Sequence, residues 1–488
     1  PVQNGKVQMY SASVSTYPGS SSSRIFLQEL KTRTDPARPG RHSLAALNAQ
    51  DIKSREPNFN SRQTVIRLPG GVYKINSGKN GGRVAGINGN DGKNDTFGIF
   101  KDRLVTPVAD EWSEVLLPWT ARYYGNDDIF KTFNQPNNKK QSDKKQYSQK
   151  YRIRTKEDDN DKPRDLGDIV NSPIVAVDGY LATSANDGMV HIFKKNGGSD
   201  ERSYNLKLSY IPGTMERKDI ENQDSTLAKE LRTFAEKGYV GDRYGVDGGF
   251  VLRRITDDQD RQKHFFMFGA MGLGGRGAYA LDLTKIDSNN LTGVSMFDVK
   301  DGDNNGKNRV EVKLGYTVGT PQIGKIRNGK YAAFLASGYA AKEIGGPTNK
   351  TALYVYDLKN TLGTPIAKIE VKDGKGGLSS PTLVDKDLDG TVDIAYAGDR
   401  GGNMYRFDLS DSNPDKWSVR TIFQGTKPIT SAPAVSRLAD KRVVIFGTGS
   451  DLSEQDVLDT EEQYIYGIFD DDTEAGNVKV DPKGLGGG

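Results

Sequence analysis

From Gly167 onward the chain repeats three short patterns in the same order, and this repetition limits the folds open to it. The first pattern is a small residue, a proline and an apolar strand, at residues 172–175, 320–323, 380–383 and 432–435. The second is a strand rich in Gly and Ala, at residues 180–185, 265–270, 331–338, 394–398 and 443–447. The third is a strand that ends in an acidic turn, at residues 278–283, 353–358, 404–409 and 465–470, with residues 191–193 equivalent in the first unit.

Three or four short strands in a unit of roughly 50–75 residues, repeated about five times, are typical of a β-propeller. Side chains alternate between the two faces of a strand, so one face would pack on the preceding blade and the other on the next. A β-sandwich gives no reason for the same proline and Tyr-x-x-Asp phases to recur. The sequence therefore predicts an all-β fold: a modified β-propeller of short antiparallel blades with a loop-rich N-terminal region and one helical insertion.

Changes of composition along the chain predict three regions. Residues 1–135 form a loop-rich N-terminal region with short strands and helices, residues 136–166 a charged loop or linker, and residues 167–480 the propeller. The linker is predicted because charge runs without apolar residues stay solvated. A helix is predicted at about 214–240, where apolar side chains recur with the helical period. These side chains are Leu227, Leu231, Phe234 and Ala235. In the first region, isolated strands are expected at the apolar runs 7–10, 24–27 and 65–68.

The composition argues against several classes of protein. The 488 residues include 68 basic and 64 acidic ones, and this near-balance does not favour nucleic-acid binding. No run approaches the roughly 18 apolar residues of a membrane helix. The absence of Cys excludes disulfides, thiolate metal sites and cysteine nucleophiles. With only three His in the chain, a multi-histidine metal site or a Ser-His-Asp triad is not expected, and His191 on its apolar strand is expected to pack in the core.

The sharpest local motif is the run Asp-Lys-Asp-Leu-Asp-Gly-Thr-Val-Asp at residues 385–393. Carboxylates at positions 1, 3, 5 and 9, with a Gly at position 6 for the sharp turn, suit Ca²⁺, which prefers hard oxygen ligands. The EF-hand glutamate at position 12 is replaced by Tyr396, and strands rather than helices flank the loop. We therefore predict a calcium loop inside one blade, with Mg²⁺ as the second choice and a polar turn as the alternative. The predicted ligands are Asp385, Asp387, Asp389, the carbonyl of Thr391, and Asp393.

A weaker run of the same kind, with Asp301, Asp303 and Asn305, precedes Gly306. Its ninth position is Arg309, which would repel a cation, so an Asn-Gly turn is favoured and a second cation site is left open. The glycine-rich run 272–277 precedes a strand and not a helix, so it is interpreted as a tight turn and not as a dinucleotide-binding loop.

Several of these runs, in this order, resemble the PilC/PilY1 family of type IV pilus proteins, in its C-terminal region and in the PilC type of Kingella or Neisseria. Among them are Asn-Asp-Gly-Met-Val-His-Ile-Phe at 186–193 and Tyr-Ala-Gly-Asp-Arg-Gly-Gly-Asn-Met-Tyr-Arg-Phe-Asp-Leu at 396–409. The others lie at residues 167–173, 243–248, 272–283, 314–321 and 446–449, and residues 102–107 and 117–119 are consistent with the region before the family's propeller.

The resemblance implies a propeller with one calcium loop, whose family positions correspond to Asp385, Asp387, Asp389, Thr391 and Asp393. It implies a role in pilus biogenesis by opposing retraction, in twitching motility and in host-cell adhesion, with calcium occupancy tuning the switch. The implied partners are the minor or major pilins of the type IV pilus and a host-cell surface or matrix receptor. The implied location is the cell surface or pilus tip, facing outward, with peripheral outer-membrane association.

Two departures from the family are visible. Relatives often have Asn at the third loop position, where this chain has the more acidic Asp387, and some have Cys, which this chain lacks. The family's N-terminal, adhesion-linked region is expected to lie mostly outside this chain.

The favoured class is a binding and assembly protein, not an enzyme. The alternative is a quinoprotein dehydrogenase, which is also a propeller with Ca²⁺ but needs aromatic stacking and commonly a vicinal Cys pair. Zero Cys and three Trp, two of them before the repeats, argue against it. A sugar-binding propeller is a third interpretation.

Overall fold

The structure is a computed structural model, and it describes part of the chain in full. These residues are 57–59, 61–75, 93–100, 106–121, 147–151, 172–195, 204–236, 244–302, 310–339, 350–360, 362–438, 441–449, 462–472 and 477–479. The remaining residues of the strands and helices given below are described by their backbone. The chain forms two compact units: Pro1–Thr214 with Ser225–Asp247, and Met215–Asp224 with Gly248–Gly488. The predicted region boundaries at residues 135, 166 and 480 lie outside the described residues and stay predictions.

The first unit begins with a four-stranded antiparallel sheet in the order β1-β2-β3-β4. Its strands are β1 (Val2–Gln3), β2 (Lys6–Val14), β3 (Ser23–Thr32) and β4 (His42–Leu44). Val7 is paired with Leu30 and Val14 with Ser23. The apolar runs expected to be strands at residues 7–10 and 24–27 thus lie in two neighbouring strands of one sheet.

A seven-stranded sheet in the first unit contains the first blade. Its strands are β5 (Gln63–Leu68), β6 (Gly71–Asn76), β7 (Arg83–Ala85), β10 (Val175–Val177), β11 (Tyr180–Ser184), β12 (Val190–Lys195) and β13 (Tyr204–Ile211). The two-stranded ribbon of β8 (Thr155–Lys156) and β9 (Lys162–Pro163) is separate. Blade 1, β10 to β13, is an antiparallel meander, and β13 then pairs in parallel with β5. The strands β5, β6 and β7 therefore extend blade 1, and the strand expected at residues 65–68 is not isolated.

The inserted helix is present as Leu227–Lys237. Its apolar side chains Leu227, Leu231 and Phe234 are buried. They pack against the turn between β11 and β12, where a Cβ at Gly188 would lie 3.2 Å from Leu231 Cδ2. Within the described residues of this unit, the other helical segments are the 3₁₀ turn Asn94–Phe97, the π-helical turn Trp112–Leu116 and the α-helix Leu117–Ala121.

Residues 147–151 differ from the solvated loop expected for residues 136–166, because Tyr147 and Tyr151 are fully buried. The Tyr151 hydroxyl donates a hydrogen bond to Glu111 Oε1 (2.9 Å), and the backbone N–H of Ser148 donates to the same oxygen (2.9 Å). Burial raises the pKa of Glu111, and these hydrogen bonds oppose the rise. Residues 147–151 are therefore held in the core by two buried tyrosines and by hydrogen bonds to the Glu111 carboxylate, although the surrounding sequence is highly charged.

The second unit contains four more blades, and its sheets are antiparallel apart from one added strand. Blade 2 is β16 (Phe250–Thr256), β17 (Gln262–Ala270), β18 (Gly277–Asp282) and β19 (Ser295–Lys300). Blade 3 is β20 (Gln322–Lys325), β21 (Tyr331–Ala336), β22 (Ala352–Asp357) and β23 (Pro365–Glu370). Blade 4 is β24 (Thr382–Val384), β25 (Ile394–Gly398), β26 (Asn403–Asp408) and β27 (Ser418–Gln424). Blade 5 is β28 (Ala434–Leu438), β29 (Lys441–Gly447) and β30 (Ile465–Asp470).

The remaining elements are short. The strands β14 (Glu216–Lys218) and β15 (Asp224–Thr226) precede the inserted helix, and β31 (Val478–Lys479) pairs in parallel with β27. Four 3₁₀ turns lie at Gly272–Gly274, Leu283–Lys285, Leu291–Val294 and Pro414–Lys416.

Neighbouring blades of the second unit share apolar layers, and each inner strand of blades 3 and 4 contributes to two of them. In β21, Ala333 and Leu335 belong to the layer with blade 2, whereas Ala332 and Phe334 belong to the layer with blade 4. In β25, Ala395 and Ala397 likewise face blade 3 and Ile394 and Tyr396 face blade 5. Both faces of these strands are thus apolar and buried against a neighbouring blade. The period-two pattern of the repeats is therefore the physical origin of the blade stack.

Candidate metal centre

The acidic run forms the hairpin loop between β24 and β25, the first two strands of blade 4. Val384 and Ile394 are paired across the base of the loop. The backbone N–H of Asp393 donates to the carbonyl oxygen of Val384 (2.9 Å), which closes the hairpin. The loop thus begins and ends on rigid strands, so its side chains converge on one small volume.

Three carboxylates of this loop, those of Asp385, Asp389 and Asp393, form one group whose nearest oxygens all lie within 4.8 Å of one another. Their exposure differs, since Asp393 is 3% exposed, Asp385 is half-buried and Asp389 is exposed. We refer to them as the carboxylate group. Like charges at this separation repel by roughly 1 kcal/mol in water and several times more near a protein surface. A cation between them removes that repulsion.

Backbone N–H groups of the loop hold these side chains in place. Asp385 accepts from the N–H of Asp389 (3.2 Å) on one oxygen and from that of Gly390 (2.7 Å) on the other. Asp393 Oδ2 accepts from the N–H of Lys386 (2.8 Å), and Asp389 Oδ1 from that of Thr391 (3.0 Å). The carboxylates are therefore preorganised by the chain that carries them.

Two positive φ angles shape the turn. Gly390 has φ of 84°, as expected from its position in the motif, and Leu388 has φ of 55° although it has a side chain. A Cβ at Gly390 would meet no atom within 4 Å, so glycine is needed there for its backbone conformation and not for space. Leu388 is 87% exposed, and its side chain points away from the protein core.

The other two predicted ligands are placed differently. Asp387 is exposed and does not belong to the carboxylate group. Thr391 is nearly buried and forms a parallel bridge with Lys325 at the end of β20, in blade 3. The structure therefore brings together three of the five predicted residues through their carboxylates, and the complete ligand set stays a prediction.

An arginine that the motif analysis missed contacts the carboxylate group. Arg327, in the turn between β20 and β21 of blade 3, donates from Nη1 to Asp389 Oδ2 (2.7 Å) and from Nη2 to Asp393 Oδ1. This guanidinium holds the pKa of Asp389 below its usual range, and the same hydrogen bond raises the pKa of Arg327. The missed signal was the phase of the repeats. Residues 320–323 and 380–383 are the same element of adjacent blades, so the turns that follow them lie at the same edge.

With three carboxylates and one guanidinium, the charge of the site is not balanced. Several carboxylate oxygens at close range are the ligands that Ca²⁺ takes in proteins, at distances of about 2.3–2.6 Å. The donor chemistry of Asp385, Asp389 and Asp393 therefore fits a hard divalent cation, and the acidic neighbour Asp387 adds to the local negative potential.

A second charged cluster lies next to the loop. Lys386 Nζ is 3.7 Å from Asp472 Oδ2. Asp472 accepts from Arg406 of β26 (2.8 Å) and Arg442 of β29 (2.7 Å), and Arg406 also donates to Asp470 of β30 (2.8 Å). We refer to Arg406, Arg442, Asp470 and Asp472 as the arginine network. It joins blades 4 and 5 and connects them to the loop through Lys386.

The second acidic run is described only at its beginning. Asp301 accepts from the N–H of Leu314 (2.6 Å) and lies 3.3 Å from Arg276 Nη1, whereas Asp303 and Asn305 lie outside the described residues. The second cation site is therefore untested. His191 is fully buried, as expected.

A serine, a histidine and an aspartate do come together around His191. Its Nδ1 lies 2.8 Å from Ser209 Oγ and its Nε2 lies 2.9 Å from Asp187 Oδ2. Ser209 is fully buried, and Asp187 nearly so. No substrate can reach this hydroxyl in the observed conformation, so the trio is a buried hydrogen-bonded network within blade 1.

Together, these features define a β-propeller protein with an acidic hairpin loop at the edge of one blade. The PilY1 beta-propeller domain family matches residues 166–488, about two thirds of the chain. The chain therefore belongs to the PilY1 beta-propeller family. This confirms the resemblance found in the sequence and the predicted all-β propeller fold.

Curated relatives carry the same family name. The chain is 30% identical over 337 residues to the type IV pilus biogenesis factor PilY1 of Pseudomonas aeruginosa strain UCBPP-PA14, covering 61% of this chain and 26% of the relative. It is 27% identical over 319 residues to a PilY1 homolog of Xylella fastidiosa strain Temecula1, covering 60% of this chain and 19% of the relative. The chain thus spans about a quarter or less of the length of these relatives.

Among solved structures, the crystal structure of the P. aeruginosa PilY1 C-terminal domain is 26% identical, with a TM-score of 0.46, covering 62% of this chain and 60% of that one. Among the residues described here, no helix is long and apolar enough to cross a membrane.

Proposed function

We propose that this chain is the propeller part of a calcium-binding protein of the type IV pilus. In this proposal it supports pilus biogenesis by opposing retraction, and through the pilus it supports twitching motility and host-cell adhesion. Its partners are then the pilins and a host-cell surface or matrix receptor, and its location is the cell surface or pilus tip, with peripheral outer-membrane association. Support comes from the family and from relatives named type IV pilus biogenesis factors.

The observation that carries the calcium part is the convergence of Asp385, Asp389 and Asp393 in a hairpin loop. In the proposal these three residues hold Ca²⁺. The motif adds the Thr391 carbonyl and Asp387 as predicted ligands, and Asp387 lies outside the carboxylate group. The bound ion would supply positive charge that neutralises the loop. The chain contributes carboxylates that its own backbone N–H groups have already oriented, so little ordering is needed on binding.

A binding role is proposed in preference to catalysis. A quinoprotein enzyme would need an aromatic ring to stack on its cofactor. All three tryptophans, Trp112, Trp119 and Trp417, are at most 8% exposed, and the chain has no cysteine for the opposite face. A quinone would also give a visible absorbance, so a protein that stays colourless after incubation with pyrroloquinoline quinone and Ca²⁺ argues against the enzyme.

Calcium titration by calorimetry tests the metal part of the proposal. The wild type is expected to bind one Ca²⁺ per chain, and Asp385→Asn is expected to lose most of the affinity, because it removes a charge while keeping an acceptor oxygen. Asp258→Asn, an exposed residue in the turn between β16 and β17, is the matched control and should bind as the wild type does. Absence of binding in the wild type, or equal affinity in Asp385→Asn, would refute the calcium site.

The pilus part is tested in cells that carry the same variants in the full-length protein. Asp385→Ala and Asp393→Ala are expected to change the number of surface pili or the extent of twitching, while Asp258→Asn does not. Surface amounts of each variant are equalised by antibody staining. If piliation and twitching are unchanged in both loop variants at equal surface amounts, the loop has only a structural role.

A further inference from the structure

We infer that Arg327 is a built-in counter-cation that competes with the metal for the carboxylate group. This inference rests on the proposed calcium function. Arg327 bridges Asp389 and Asp393 from the neighbouring blade. Its guanidinium therefore neutralises part of the loop's negative charge.

The argument depends on which oxygens Arg327 takes. On Asp389 the backbone of the loop uses Oδ1 and Arg327 uses Oδ2. On Asp393 the backbone uses Oδ2 and Arg327 uses Oδ1. Both oxygens of Asp385 already accept backbone N–H groups. Arg327 therefore contacts the two oxygens of Asp389 and Asp393 that accept no backbone N–H group from the hairpin.

Arg327 cannot leave by losing its charge, because a guanidinium stays protonated in proteins. Two positive charges on the same oxygens repel strongly at short range, so Ca²⁺ and the guanidinium exclude each other. The Arg327 side chain is 30% exposed and can move into solvent on its long stem. Metal binding then replaces two ion pairs between neighbouring blades with ligation inside one loop.

The two blades remain joined when Arg327 leaves. The backbone N–H of Val392 donates to the carbonyl oxygen of Lys325 (2.8 Å), and Lys325 is bridged to Thr391. The exchange therefore frees a side chain and leaves the backbone contact in place. Calcium would alter the charge and mobility at this edge without separating the blades.

The test compares Arg327→Gln with Arg253→Gln, which removes the same charge from an exposed position on β16. Calorimetry should give about tenfold tighter Ca²⁺ binding for Arg327→Gln, the size expected for the loss of two partly exposed ion pairs. Arg253→Gln should bind as the wild type does. In chelator, Arg327→Gln should melt at a lower temperature than the wild type, and saturating Ca²⁺ should reduce that difference.

Arg327→Lys is a second variant, because it keeps the charge but loses the bidentate geometry. Its affinity should lie between those of the wild type and Arg327→Gln. If the wild type binds Ca²⁺ and Arg327→Gln binds equally or more weakly, competition is refuted while the calcium site stands. An equal gain in Arg253→Gln would also refute it, since the effect would then be one of net charge. If neither the wild type nor Arg327→Gln binds Ca²⁺, the calcium site itself fails.

Discussion

Two clusters of charge lie side by side in blades 4 and 5, and they are built on opposite principles. In the arginine network, Asp470 and Asp472 face Arg406 and Arg442, and the side chains are between 5% and 18% exposed. In the carboxylate group, three acids face one guanidinium from another blade. In the first, each acid is paired with arginines and the site is mostly buried, whereas in the second the acids outnumber the cations and the site is partly open. Acids that are paired with arginines stabilise the contact between two blades. An excess of carboxylates instead favours the binding of a cation.

The largest expected effect is on stability and comes from the removal of one arginine from the arginine network. Arg406→Ala leaves Asp470 and Asp472 with fewer partners in a desolvated place, which should lower the free energy of unfolding by roughly 3–5 kcal/mol. Urea unfolding measures it, with Arg253→Ala as the exposed control. Calcium affinity should change little in comparison. A strong loss of affinity with normal stability would mean that the two clusters are one functional unit.

Removal of calcium is the next effect in size. A ligand present at 100 times its dissociation constant stabilises the native state by about 2.7 kcal/mol, so chelation should lower the melting temperature by a few degrees. The β content measured by circular dichroism should not change, because the blade cores do not depend on the loop. If chelation does not shift the melting curve of a sample shown to contain calcium, calcium binding in the loop does not contribute to global stability.

The turn conformation gives a smaller effect that differs between stability and binding. Gly390→Ala forces a residue with a Cβ into φ of 84° and should cost about 1–2 kcal/mol. Gly179→Ala, at φ of 83° in the corresponding turn of blade 1, should cost a similar amount. Only Gly390→Ala should weaken calcium binding in calorimetry. Equal affinities in the two variants would show that the loop tolerates a different turn.

The smallest effect is expected at Asp387, which the motif predicts as a ligand and the structure leaves outside the carboxylate group. Asp387→Asn should weaken calcium binding by a few-fold at most, through the lost negative potential alone. Asp385→Asn should weaken it much more. If both variants lose the same affinity, Asp387 moves into the ligand set when the ion binds, and the sequence pattern is the better guide.

The blades could be predicted from the sequence because their information is local. Each blade is a meander of neighbouring strands, and its alternating residues mark the two faces without reference to distant parts of the chain. The carboxylate group was found for the same reason, since the three residues lie within one turn.

What the sequence did not reveal depends on contacts between distant segments. Arg327 lies about 60 residues before its partners, and only the alignment of repeat phases would place its turn beside the loop. Tyr147 and Tyr151 are buried, and Tyr151 donates a hydrogen bond to Glu111, a contact that no local pattern predicts within a charged run. The parallel pairing of β5 with β13 is of the same kind.

That pairing also sets an order of events in folding. The hairpins of blades 2 to 5 join neighbouring segments and can close within microseconds. The pairing of β5 with β13, in which Val65 lies opposite Tyr210, must instead close a very long loop. Contacts between such distant segments form late. During synthesis β5 leaves the ribosome long before β13 exists, with Val65 and Ile66 still unburied. The nascent chain thus carries an incomplete sheet edge until β13 has been made, and this edge is where a chaperone would be needed.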